Sequence, residues 1–459
     1  MNKDFRVGYA SVNINPPLGS ALFGYYVKRI ASGYLDDLEA SAISLSSGNK
    51  RFLIISIDSC SINKELVNKI NAAIEEATGI PRENVLISAT HTHTGPFSSK
   101  PGGFAAGENE EEIVIRYVQF LTNRIKDLAI LSLQTLKPAK MGYAIVRAPD
   151  RIAYIRRYKM KDGTTQTCPP IEDPNIDHPI GELDQRVNVI RFDREGAESV
   201  VILNYGIHAD TVNGDMVSSD WCGWTRRTLE KALDGTKCLC IMGAQGDVGS
   251  TNVHPLPGDM NDTEISFDNE MKSPGMARFV GRALAGTVLQ VFDKVAYIDV
   301  DDIDVIHWKI AIPANNPSPE QMPEARRIKE LHDSGRDDLI PYEAMELTTV
   351  VAEANRMIRL EKGPYEFPAE LMALRIGNLV LSTIPGEPFT NIGERIKELG
   401  GFEIIVPCAL SNGSMGYFPN NSAYDEGGYE TRTSSFKKGV ADVIVNESVA
   451  MLKELKERI

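Results

Sequence analysis

Two of the seven histidines in this 459-residue chain stand one residue apart, in Ser88-Ala89-Thr90-His91-Thr92-His93-Thr94-Gly95-Pro96. They come just past Val85–Ala89, which reads as a strand. Residues two apart in extended backbone point the same way, so both rings can reach one centre. Imidazole is the commonest metal ligand and also a common polar tip bonded to backbone, and the pair alone fits either role. His208 closes a second strand-like run in Asn204-Tyr205-Gly206-Ile207-His208-Ala209-Asp210, where a lone histidine reads more readily as structural. Glu387 follows a third run in Ile384-Pro385-Gly386-Glu387-Pro388; it is either an exposed turn residue or a carboxylate presented at a sheet rim. A fourth run leads into Ser411-Asn412-Gly413-Ser414-Met415-Gly416-Tyr417, with Tyr429 twelve residues later.

Together these weak signals converge. Short β-branched runs alternate with helical patterns, the signature of an α/β fold. The expected strands are 51–58, 85–89, 199–205, 237–242, 377–383 and 402–408. The expected helices are 62–78, 110–133, 221–233, 277–292, 389–399 and 436–459. Residues 51–89 read as one βαβ unit, with Leu66, Ile70, Ile74 and Ala77 on the buried helix face and Gly79 as its stop. In open α/β sheets ligands bind beyond the carboxyl ends of strands. Two imidazoles and a carboxylate with an open position there make a catalytic zinc arrangement, which lowers the pKa of bound water to ~7. The expectation is therefore one or more mixed sheets flanked by helices, with a metal site at the C-terminal ends of strands, in a single domain spanning 1–459. A charged helical stretch at 319–362 interrupts the strand pattern as an insert or lid.

The glycine-rich loop Gly243–Asn252 also follows a strand, but it lacks the lysine of a P-loop and matches no nucleotide fingerprint. It reads as a substrate-lining or structural turn. Lys+Arg is 49 and Asp+Glu 63, a net charge of −14, which argues against nucleic acid or an anionic membrane as the main partner. No apolar run approaches the ~20 residues that span a bilayer. The N-terminus Met1–Val7 has no signal-like apolar core, so a cytoplasmic location is expected. Six cysteines without a CxxC pair are no disulfide framework; Cys60, Cys238, Cys240 and Cys408 read as buried free thiols.

The ordered set of segments resembles the neutral/alkaline (non-lysosomal) ceramidase family of zinc-dependent N-acyl amide hydrolases. The similar segments are Gly8–Gly19, ATHTHTGP, NYGIHAD with SSDW, GAQGDVG, IPGEPF and SNGSMGY followed by GGYE. The resemblance implies a ceramidase-like catalytic domain with one Zn²⁺ held by His91, His208, Glu387 and Tyr417. It further implies His93 as the acid/base or oxyanion-supporting group, Tyr429 on the substrate carbonyl, and Arg156 as the active-site arginine, with Arg157 the alternative. Three departures stand out. Gly249 occupies the place of a serine tied to ceramidase catalysis, the chain stops about 30 residues after Tyr429 with no room for the family's C-terminal immunoglobulin-like domain, and no export signal is evident.

The resulting expectation is a zinc-dependent hydrolase that cleaves the amide bond of a small N-acyl compound other than ceramide, using metal-activated water. Alternatives are an esterase or lactonase of the same fold, and a degenerate family member that only binds a ligand. An amidohydrolase-type (β/α)₈ barrel also opens with HxH, but His178 and His254 supply its further ligands poorly. The partner is a small-molecule substrate, and oligomeric state is not legible.

Overall fold

The computed structural model describes residues 5–98, 108–259 and 272–458. The first βαβ unit forms as read: Lys50–Ile57 and Val85–Ala89 pair in parallel, with Leu53 opposite Val85. Helix Lys64–Thr78 joins them, its first turn capped by the Asn63 side chain and its end by Gly79 at φ 70°. Leu66, Ile70 and Ile74 are buried, whereas Ala77 in the last turn is exposed and does not extend that face.

This unit forms one edge of a nine-stranded mixed sheet. Its order is Lys237–Met242, Val200–Tyr205, Arg186–Arg194, Lys137–Arg147, Arg6–Asn13, Glu39–Ser47, Lys50–Ile57 and Val85–Ala89, with Ala296–Ile298 added beside Lys137–Arg147. Only the outermost pairs are parallel. A second sheet of four strands runs Ile303–Pro313, Glu366–Ile376, Leu379–Thr383 and Ile404–Cys408, its last pair parallel.

The strand alternation sorts side chains into layers. Val201 and Leu203 face the outer helices with Leu66, Ile125, Trp221 and Leu284. Val200 and Ile202 face the second sheet, meeting Leu374, Leu381 and Val406. On that sheet's far side, Ala373, Val380 and Ile405 pack with Ile396 and Ile444, from helices Thr390–Leu399 and Val440–Lys456. The result is four layers, helix–sheet–sheet–helix. Strands covered on both faces carry uninterrupted apolar runs, the pattern that made them legible in sequence.

Residues 319–362 contain a helical pair, Met322–Asp333 and Ala344–Leu360, with its own small core of Met322, Ile328, Val351 and Met357. The flanking strands pair across it, Ile303 opposite Ile376 and Pro313 opposite Glu366, so the pair occupies the connection of a β-hairpin. The last helix starts at Val440 rather than Phe436, because Gly439 before it sits at φ 106° and Phe436 is buried against Phe418 instead. All six cysteines are free thiols; Cys168 is exposed and the other five are buried. No helix among the described residues is long and apolar enough to cross a membrane.

Candidate metal centre

Each sheet delivers two of the expected side chains. His91 and His208 follow first-sheet strands Val85–Ala89 and Val200–Tyr205, while Glu387 and Tyr417 follow second-sheet strands Leu379–Thr383 and Ile404–Cys408. The sheets are stitched together at this end, where Ala89 N donates to Leu410 O at 3.1 Å.

His91 and His93 converge, although by a different route from the alternation expected of extended backbone. His91 turns out of the strand at φ 65°, and its ring meets that of His93 edge-on at 4.7 Å. A left-handed non-glycine residue costs roughly 1–2 kcal/mol, so the surroundings must impose it. The flanking threonines do. Thr90 Oγ1 donates to Asp58 (3.0 Å), and Thr92 and Thr94 both donate to the Ser218 carbonyl (2.6 and 3.2 Å). Ser218 and Ser219 in turn donate to Asp36, which fixes the SSDW segment behind the loop.

Hydrogen bonds on the far side of each ring set the tautomers. His91 Nδ1 donates to Cys60 O (2.7 Å) and His208 Nδ1 to Val248 O (2.8 Å), so both Nε2 atoms face inward. Each Nε2 lies 3.2 Å from Glu387 Oε2. Glu387 is only 8% exposed, which excludes the exposed-turn reading, and its Oε2 accepts no hydrogen bond. Burial and the neighbouring Arg156 push His208 down to about 4, leaving it neutral. Burial opposes charge on both His91 and Glu387, but their mutual attraction prevails, raising the pKa of His91 and lowering that of Glu387. Three inward-facing donor atoms thus require a positive charge between them, from a proton on His91 or from a cation. His91, His208 and Glu387 fit a divalent metal on this ground, their ligand atoms lying within 4.8 Å of one another.

Tyr417 stands directly opposite Glu387 in a short parallel pairing. Burial first, and then Glu387, raise the Tyr417 phenol pKa, while Arg156 bonds to it. The Tyr429 ring lies 5.6 Å from that of Tyr417 and begins a short helix after Gly428. Of the two candidate arginines, Arg156 faces the cluster. Its Nη1 is 3.2 Å from His208 Nε2, its Nη2 donates to Gly246 O, and its Nε donates to buried Glu430 (both 2.8 Å). Arg157 turns to Glu426 and Gly427 O.

The glycine-rich loop supports the residues of the cluster. A Cβ on Gly246 would lie 2.5 Å from Glu387 O, and the loop supplies the carbonyls that hold His208 and Arg156. Gly249 faces Arg156, and Val248–Gly249 pairs with Tyr154–Ile155 to bring Arg156 in. His178 and His254 are exposed, leaving the barrel-type ligand set without support.

Sequence reading missed the groups behind His93. Its Nδ1 lies 3.5 Å from Asp210, which also accepts from Lys272 Nζ (3.0 Å) and from the Tyr25 hydroxyl. Asp210 was visible in the quoted HAD and Glu430 in GGYE; Lys272 and Tyr25 carried no local signal.

No family model matches the chain. Over 210 residues, 43% of this chain and 27% of the relative, it is 27% identical to neutral ceramidase A of Dictyostelium discoideum. The aligned stretch therefore spans little more than a quarter of that curated relative. The neutral ceramidase structure from Pseudomonas aeruginosa superposes with a TM-score of 0.74 at 17% identity, covering 100% of this chain and 75% of that one. A ceramidase complexed with C2 gives 0.72 at 16%, covering 99% and 76%.

Proposed function

This chain is neutral-ceramidase-like in fold, and from that premise we propose that it is a zinc-dependent hydrolase of small N-acyl amides. The carrying observation is the unsatisfied Glu387 Oε2 between the Nε2 atoms of His91 and His208. These three, with Tyr417, would hold one Zn²⁺. When bound, zinc supplies Lewis-acid polarisation and acidifies water.

The chain's own groups do the rest. His93 Nε2 points at the cluster, 3.3 Å from His91 Nε2, while Nδ1 faces the Asp210 carboxylate. That arrangement suits it to take a proton at Nε2 and later give it to the leaving amine. Tyr429 and Arg156 are donors for a developing oxyanion, each worth ~3 kcal/mol. The loss of the family's serine hydroxyl at Gly249 favours a substrate other than ceramide. The whole chain reads as one ceramidase-like domain, with 319–362 as its insert.

The test is elemental analysis of the purified protein, followed by turnover of matched short amides, esters and lactones. About one zinc per chain and chelator-sensitive amide cleavage are expected. Ester or lactone cleavage without amide cleavage would move the assignment to an esterase or lactonase. Failure to take up zinc on titration would overturn it.

A further inference from the structure

The inserted helix Ala344–Leu360 lies against the segment that carries Tyr429. Arg356 Nε donates to Arg432 O (2.8 Å) and its Nη1 to Asn315 O (2.6 Å). Arg432 pairs with both Glu346 and Glu353 from the same inserted helix. Arg356 also reaches Glu353, at 3.6 Å. Arg359 lies one turn beyond Arg356 and donates to Ser435 Oγ at 2.7 Å. Among the described residues, no carboxylate lies within ion-pair distance of it. Arg356 and Arg432 thus share the two carboxylates Glu346 and Glu353, and among the described residues Arg359 is left without a counter-charge.

Its position relates to the metal centre through two tyrosines. The ring of Tyr26 meets that of Tyr429 edge-on at 6.2 Å, and their hydroxyls are hydrogen-bonded. Ser435, which accepts from Arg359, lies two residues beyond the short helix Tyr429–Thr433, and the Arg359 charge is felt at Tyr26. Of the other cations around the centre, Arg156 pairs with Glu430 and Lys272 with Asp210, while Arg29 is half-buried and spends its guanidinium on the Phe23, His93 and Gly214 carbonyls. In a chain of net charge −14, an arginine without a carboxylate partner among the described residues, beside Tyr26 and the proposed substrate donor Tyr429, is a locally positive spot. A guanidinium presents a planar fork that matches a carboxylate in two parallel hydrogen bonds.

We propose that Arg359 selects amides bearing a carboxylate, so that the helical insert acts as a specificity element. This inference rests on the hydrolase reading above. The carboxylate belongs either to the amine portion or to the acyl portion, and the test separates the two. N-acylglycines are compared with N-acylglycinamides, and monoamides of dicarboxylic acids with their neutral esters, using zinc-loaded wild type, Arg359→Gln and Arg359→Lys. Turnover and calorimetric binding are measured in parallel.

In one of the two series, wild type should favour the anionic member at least tenfold in kcat/KM. Arg359→Gln should lose at least tenfold more on the anion than on its neutral partner, mainly through KM, and Arg359→Lys should recover part of it. Equal losses on both partners, or no preference in turnover and in binding alike, would overturn the proposal. If nothing is turned over but wild type binds the anion and Arg359→Gln does not, the anion site stands and the hydrolase reading falls.

Discussion

Glu387 Oε2 stands 3.2 Å from His208 Nε2 with no hydrogen bond between them, because the ring's proton on Nδ1 is committed to the Val248 carbonyl. A buried carboxylate oxygen facing an unprotonated imidazole nitrogen is costly unless a cation lies between them. Removing either group should abolish metal retention. His208→Ala and Glu387→Gln are each expected to weaken zinc binding by more than the roughly 10–100-fold typical of outer-shell changes. Elemental analysis after gel filtration measures this, and retention of one zinc by either variant would remove that residue from the ligand set.

His93 and Asp210 give a second prediction. Burial opposes charge on Asp210, but Lys272, His93 and Tyr25 hold its pKa well below the ordinary carboxylate range, so it is ionised at neutral pH. An ionised Asp210 keeps the His93 proton on Nδ1 and leaves Nε2 to face the cluster. Asp210→Asn should lower kcat about 100-fold while zinc content stays at the wild-type level. Unchanged kcat would mean that His93 needs no orienting partner.

The positions of His91, His208, Glu387 and Tyr417 were legible in sequence because each follows an apolar run buried on both faces, and such runs stand out. What could not be read was that they belong to two different sheets. Strands Ile303–Pro313 and Glu366–Ile376 were missed: the first alternates with polar residues, as in Asp304, His307 and Lys309, and the helical pair separates it from its partner. The convergence of His91 and His93 was anticipated for the wrong reason, since φ 65° at His91 depends on Asp58 and Ser218, both distant in sequence. The burial of Glu387 likewise depends on packing against the Gly246 loop, which no local pattern encodes.

That packing supports a third prediction. A methyl group at Gly246 would lie 2.5 Å from Glu387 O and 3.1 Å from the Pro388 carbonyl carbon, closer than the backbone allows. Gly246→Ala must displace the Glu387 segment, at the ~1–3 kcal/mol usual for overpacking, and should weaken zinc binding at least tenfold. Gly249→Ala is the contrast, because its Cβ would meet Arg156 at an ordinary 3.6 Å. Equal zinc affinity in the two variants would show that the Gly246 contact does not position the ligand.

The last prediction concerns an ion pair that ties the second sheet to the helix of the first βαβ unit. Glu370 lies 3.0 Å from His307 Nδ1 and 2.7 Å from Lys64 Nζ. The His307 hydrogen bond, followed by Lys64, outweighs partial burial and lowers Glu370 from 4.5 to about 2. A carboxylate with a depressed folded-state pKa stabilises the fold fully above its unfolded value, and the contribution is lost as pH falls through the folded one. The relevant window is therefore between about pH 4.5 and pH 2. Because the pair is partly solvated, its contribution is discounted to about 1 kcal/mol at pH 7. Glu370→Gln should cost that much in urea unfolding at pH 7 and progressively less toward pH 2. A cost that stayed constant down to pH 2 would assign the effect to lost packing instead of charge.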